Sequence, residues 1–255
     1  MFCNRQEYEK MAEVESKHWW YKTLHSMVLK AIEFNFKDKE ISILDAGCGT
    51  GGLIKFLKNK GYKNIEGFDV SEVAVSLCKS RGINAFIGDI RHTDIITNNK
   101  YDVIISNDTL YFYDQMEIHK KIIISFYKVL KENGVLILNL PALKICSGIH
   151  DVAVGGRYRF TKKDIKKIID KDSFCIQNAL YWPFLVSPII IIMRTMQRMK
   201  LKLYGDKIEI KSDINLPPKW LNCFLYNLIQ FENLFFLKKL FASSLFFVLK
   251  KFDSF

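Results

Sequence analysis

The run Ile41-Ser42-Ile43-Leu44-Asp45-Ala46-Gly47-Cys48-Gly49-Thr50-Gly51-Gly52 constrains this chain more than any other segment. A short apolar stretch ends at a carboxylate and passes into glycines, the pattern of a buried strand turning tightly into a helix. Without β-carbons, such a turn lets backbone amides and a helix N-terminus come close to a ligand. Gly47, Gly49 and Gly52 spell G-x-G-x-x-G, whereas Gly47, Gly49 and Gly51 spell G-x-G-x-G, so the glycines alone do not select a ligand class. Asp45 separates the two. A carboxylate at the strand end repels a pyrophosphate and suits a cationic molecule that carries an amino-acid group.

Downstream spacing repeats the strand-helix unit. A helix over 51–60 leads to Ile65-Glu66-Gly67-Phe68-Asp69-Val70-Ser71, a strand ending in an acid roughly twenty residues after the loop, where a carboxylate accepts ribose hydroxyls. Helix 72–81, strand 84–87 and Gly88-Asp89-Ile90 follow. Strand 102–107 runs into Asn107-Asp108-Thr109-Leu110-Tyr111-Phe112. A helix over 115–132 is closed by Asn133-Gly134 as a left-handed cap, and Val135–Leu140 has the unbroken apolar character of a buried strand. Alternating elements of this kind imply a parallel sheet with right-handed crossovers.

These motifs resemble class I S-adenosylmethionine-dependent methyltransferases. The resemblance implies an α/β, Rossmann-like sheet of seven mostly parallel strands with helices on both faces. It implies S-adenosyl-L-methionine as cofactor and S-adenosyl-L-homocysteine as product. Asp45, Gly47, Cys48, Gly49 and Gly51 then form the loop that holds the methionine end, Asp69 and Val70 the ribose side, and Asp89 and Ile90 the adenine side, with Asn107 at the fourth strand end. The chain departs from the commonest pattern after Asn107, where many relatives carry Glu-His and this one carries Tyr111-Phe112.

The N-terminal Glu15-Ser16-Lys17-His18-Trp19-Trp20-Tyr21, the stretch His150-Asp151 with Gly156-Arg157-Tyr158-Arg159-Phe160-Thr161, and Phe231-Glu232 resemble one bacterial branch of that family. On this likeness Trp19, Trp20 and Tyr21 form an aromatic lid, and Arg157, Tyr158 and Arg159 meet the acceptor. A sulfonium methyl is already activated, so positioning of the nucleophile carries most of the catalysis and no metal is needed. His150, oriented by Asp151, is the first candidate base; His18 is its rival, and Tyr111 a further pocket group. A nicotinamide-dependent oxidoreductase and a non-catalytic cofactor-binding scaffold are the alternative readings.

The expected organisation is a single domain: an N-terminal helical lid over 1–40 with one helix from about Arg5 to Phe36, a core over 41–182, a helical insertion over 183–240 and a last strand within 241–255. Thr161-Lys162-Lys163-Asp164 opens a helix to about Lys171, followed by a strand over Phe174–Tyr181. Ser244–Lys250 is read as the closing strand rather than as a membrane-surface helix with Lys238, Lys239, Lys250 and Lys251. The insertion is expected to pack its apolar residues on its own core, with peripheral membrane contact or homodimerisation as alternatives. Leu185–Met193 is too short to span a bilayer and contains Pro188.

Charge is uneven. Residues 1–150 hold 20 Lys and Arg against 18 Asp and Glu, and residues 151–255 hold 18 against 9, so most of the net +11 lies in the later part. The basic part suits an anionic small-molecule, lipid-linked or peptide acceptor, and no nucleic-acid module accompanies it. The six cysteines, Cys3, Cys48, Cys78, Cys146, Cys175 and Cys223, have neither paired nor zinc-ligand spacing, which points to free thiols and a cytoplasmic protein.

Overall fold

The computed structural model describes residues 5–170, 172–205, 212, 214–235 and 239–252; Cys3, Lys171 and Lys238 lie outside them. Helices α1 (Arg5–Val14) and α2 (Trp19–Asn35) precede β1 (Ile43–Ala46), α3 (Gly52–Asn59), β2 (Ile65–Asp69), α4 (Glu72–Ser80) and β3 (Ala85–Ile87). Then come α5 (Thr93–Ile96), β4 (Tyr101–Asn107), α6 (Met116–Val129), β5 (Leu130–Pro141), α7 (Ile149–Val154) and α8 (Lys162–Ile168). The chain closes with β6 (Phe174–Trp182), α9 (Ser187–Tyr204), α10 (Lys219–Phe235) and β7 (Ser244–Lys251).

The seven strands form one sheet in the order β3-β2-β1-β4-β5-β7-β6. Strand β7 runs antiparallel to both neighbours, with Leu138 opposite Phe247 and Leu180 opposite Phe246; the other pairings are parallel. The chain therefore supplies the mostly parallel seven-stranded sheet that its motifs imply. All four residues of β1 are buried, because helices cover both faces and a parallel strand at the centre has no wet side. On one face Leu44, Ile104, Leu136 and Phe247 meet Ile122 and Phe126 of α6 and Ile165 of α8. On the other, Ile43, Val103, Ile137 and Val248 meet Leu24 and Val28 of α2 and Ile54 of α3.

Three local readings are corrected. The single N-terminal helix is two, broken over residues 15–18. There the His18 imidazole accepts the Trp20 amide at 3.2 Å and Asn222 Oδ1 accepts the Trp19 amide at 2.8 Å, so the first donors of α2 are met from outside the helix. Helix α6 stops at Val129 instead of residue 132, because Leu130 is buried and already pairs with Tyr101. Asn133 does adopt φ 58, but within β5, at the register shift where Tyr101 pairs with Leu130 and Val103 with Val135, not as a helix cap. Helix α8 starts from the expected capping box, Thr161 and Asp164 bonding reciprocally, but ends at Ile168.

The fourth correction concerns the insertion: Ile190, Leu225, Leu228 and Ile229 do pack on the core, but many of its other large apolar residues turn outward. Ile189, Ile192, Met193, Met196, Met199 and Leu203 of α9 are exposed, as are Trp220, Phe224, Phe231, Leu234 and Phe235 of α10. Helix α10 is anchored by Ile229, buried in the core with Leu225, Tyr226 and Leu228 packed against it, and by a polar clasp. The Glu232 carboxylate accepts the Phe184 and Leu185 amides at 2.8 Å each and pairs with Lys239 at 2.6 Å, both side chains fully buried.

Candidate functional site

The C-terminal ends of β1, β2 and β4 converge beside the glycine turn. Gly47 has φ 85, and a β-carbon there would lie 2.2 Å from Thr109 Cγ2; Gly51 has φ 80, and its β-carbon would meet Ile83 at 2.5 Å. Both positions thus require glycine on conformation and on space. The turn is pinned from behind, since the Gly47 and Cys48 amides donate to Phe68 O at 2.8 and 2.9 Å.

Asp45 is only 2% exposed and has no hydrogen-bond or ion-pair partner among the described residues. Burial, then the charges of Asp69 and Glu15, push its carboxyl up from 3.8 to about 8. Asp69 is better supported: its oxygens accept the Gly49 amide at 3.0 Å, the Ser71 amide at 2.9 Å and the Tyr8 hydroxyl at 3.4 Å. Burial still raises it, although the backbone bonds pull the other way. At the end of β4 the Asn107 Oδ1 atom is buried without a hydrogen-bond partner. A buried carboxyl without a partner and an orphan acceptor in one crevice are what a cationic donor would satisfy, the carboxyl giving up its proton to pair with it.

The first helix and the break after it contribute groups that the motifs did not reveal. Tyr8 reaches Asp69, and a β-carbon on Gly49 would lie 3.3 Å from Met11 Sδ. The buried Glu15 carboxylate accepts the Gly52 amide at 3.1 Å, and Arg81 pairs with it while donating to Thr50 O at 2.7 Å. Glu15 thus occupies the N-terminus of α3, the place where a dinucleotide's pyrophosphate would seek its donors. Its position in the Glu-x-x-His-Trp-Trp segment was the signal that could have found it.

The remaining candidates fall into distinct settings. Asp89 is engaged, accepting Arg91 Nε and the Arg91 amide at 2.9 Å each and the Tyr113 hydroxyl at 3.3 Å. Val70 is exposed at the rim, while Ile90 is buried in the core below it. The Cys48 side chain points under the turn, so that a β-carbon on Gly67 would lie 3.0 Å from its sulfur. His18 serves as the α2 cap and stacks on Trp19, with ring centroids 5.7 Å apart; burial lowers it to about 4, so it is neutral at pH 7. Trp20 stacks on Trp182 at 5.3 Å, and Tyr21 meets Trp20 edge-on at 5.2 Å.

His150 lies on α7, just beyond β5. The Asp151 carboxylate accepts the Gly148 amide at 2.8 Å and Arg159 Nη2 at 2.8 Å. Arg159 also donates to Ala142 O at 3.0 Å, and so joins α7 to the end of β5. Arg157, in contrast, has an exposed side chain, and its backbone amide donates to Tyr111 O at 2.8 Å. Tyr111 is buried beneath Gly156, and Tyr158 packs on His119 and Phe160. Asp108 adopts φ 53 directly after β4. Asn139 Nδ2 donates to it at 2.9 Å, and burial raises its carboxyl to about 7 against the pull of Asn139 and Arg159.

This geometry is that of a class I S-adenosylmethionine-dependent methyltransferase. The chain belongs to the methyltransferase-domain family, whose model matches residues 37–187. It is 31% identical to the malonyl-[acyl-carrier protein] O-methyltransferase of Priestia megaterium over 52% of this chain and 46% of that protein. It is 31% identical to O-methyltransferase 3 of Dictyostelium discoideum over 63% of this chain and 37% of that one. It thus spans less than half the length of these curated relatives. A methyltransferase structure from Archaeoglobus fulgidus shares the fold with a TM-score of 0.56 at 14% identity, covering 90% of this chain and 93% of that one.

Proposed function

We propose that this chain transfers the methyl group of S-adenosylmethionine to an oxygen of an anionic small-molecule or carrier-borne acceptor. The observation that carries the reading is Asp45, a buried carboxylate without a described partner beside a glycine turn whose helix N-terminus is already filled by Glu15. Such a site favours a cation and disfavours a phosphate. The bound cofactor supplies an activated methyl. Asp45 would face its ammonium, Asn107 Oδ1 would accept a hydrogen bond from it, and Asp69 would take the ribose hydroxyls in place of the long Tyr8 bond.

Transfer to oxygen is favoured by the O-methyltransferases among the relatives. A carboxylate acceptor needs no base, and the exposed Arg157 would hold one. For a hydroxyl acceptor, His150 is the proposed proton acceptor. The proposed compartment is the cytoplasm, which the cysteine spacing supports.

Calorimetric titration tests the reading: S-adenosylmethionine and S-adenosylhomocysteine should bind in the micromolar range and NAD should not. NAD binding with no response to either methyl-donor species would overturn it. With an acceptor in hand, His150→Ala should lower turnover and leave cofactor affinity intact; wild-type turnover would remove His150 from the chemistry.

A further inference from the structure

Helix α9 is amphipathic in the reverse sense for a soluble protein. Ile190 near its start packs on the core, but further along the contacts with the body of the molecule are polar: Arg198 donates to Ile145 O and Ser147 O at 2.6 Å each, and Gln197 Oε1 accepts the Ile149 amide at 3.2 Å. The opposite side carries Ile189, Ile192, Met196, Met199 and Leu203, spaced by three and four residues and so aligned in one stripe. Every one is at least half exposed, Leu203 at 72%.

Helix α10 repeats the arrangement. Trp220, Phe224, Phe231 and Leu234 fall on one face, with Trp220 72% exposed, while the other face buries Ile229 and Glu232. Stripes of this extent need a partner, since isolated exposed apolar residues are ordinary but aligned ones are not.

Charge identifies the partner. Exposed Lys200, Lys202 and Lys219 accompany the stripes. Among the described residues of the two helices the only carboxylate is Glu232, which is buried against Lys239. A second copy of the chain would bring these lysines against lysines with no acid to answer them. Anionic headgroups above an apolar layer answer both features at once. We propose that α9 and α10 seat the protein on the surface of an anionic lipid bilayer. Gln197 and Arg198 bond backbone atoms of the 145–149 segment leading into α7, so such a seat would hold the His150 rim next to the headgroups. The proposal does not depend on the methyl-transfer reading.

Co-sedimentation of the full chain with vesicles tests it, comparing phosphatidylcholine alone with phosphatidylcholine containing phosphatidylglycerol. Binding to the anionic vesicles, falling with added salt, is expected. The Met196→Glu/Met199→Glu double variant should abolish it without changing the far-ultraviolet spectrum or S-adenosylhomocysteine affinity. Lys200→Gln/Lys202→Gln should weaken it by about thirtyfold, at roughly fivefold for each cation. Failure of the wild-type chain to sediment with anionic vesicles would overturn the proposal. So would undiminished sedimentation of the Glu variant, or a dimer in solution that this variant converts to monomer.

Discussion

Replacing Asp45 by asparagine should make the free protein more stable and a poorer binder of its cofactor. In the folded chain Asp45 keeps its proton up to about pH 8, against 3.8 for an ordinary aspartate. The folded form therefore binds more protons than the unfolded one across that interval, and stability falls as pH rises through it. At ~1.4 kcal/mol per pH unit, the cost of this carboxyl at pH 7 reaches an upper limit of about 4 kcal/mol. Asparagine keeps the shape and has no proton to lose. Asp45→Asn should thus raise the thermal midpoint at pH 7 by as much as about 10 °C for a chain of this size. It should also flatten the dependence of the midpoint on pH between 5 and 8.

The same substitution removes the group proposed to face the cofactor's ammonium. Losing one partner of a buried charge pair costs at least ~2 kcal/mol, a fall of about thirtyfold in S-adenosylmethionine affinity. In the wild type, cofactor binding near neutrality should release a proton as Asp45 ionises, which calorimetry in buffers of different ionisation enthalpy measures directly. An Asp45→Asn protein with an unchanged midpoint and unchanged affinity would refute the argument. It would mean that Asp45 is ionised and neutralised in the free chain.

Two more substitutions probe other parts of the molecule. Asp108 is raised from 3.8 to about 7 by burial, so it too destabilises the fold as pH rises toward neutrality; Asp108→Asn should add a smaller flattening of the same thermal profile, and an unaltered profile would place its titration elsewhere. Glu232→Ala would leave Lys239 buried without its partner and strand the Phe184 and Leu185 amides, so a loss of about 3–5 kcal/mol is expected in urea unfolding. A loss below about 1 kcal/mol would show that α10 is held by its apolar contacts instead.

What could be read from the residues was whatever depends on local order along the chain. The glycine turn, Asp69 at the end of β2 and the buried run Val135–Leu140 identify the sheet because each needs only its neighbours to be recognised. Ser244–Lys251 as the antiparallel last strand follows from the fold rather than from its own pattern, which suits a helix equally well. The residues that complete the crevice were less legible, because they come from α1 and the break that follows it. Tyr8 and Glu15 reach partners 61 and 37 positions away, and nothing in a short polar helix announces those partners. Asp89 shows the converse. Its place after β3 matched the motif, yet Arg91 two residues on engages it, a pairing that spacing alone did not weigh. The outward stripes of α9 and α10 were invisible for a different reason: periodicity tells that a helix has an apolar side, but not which way that side faces.

Asn222 has a consequence for how this protein can be rebuilt. Its amide clasps the elbow between α1 and α2, accepting the Trp19 amide and donating to Lys17 O at 2.9 Å, across a separation of more than two hundred positions. The neighbouring Glu15 grips the turn at Gly52. A chimera that took its insertion from a relative with an apolar residue at this point would lose the clasp and loosen the grip beyond it. The front end and the late insertion are therefore one exchangeable module, to be grafted together or not at all.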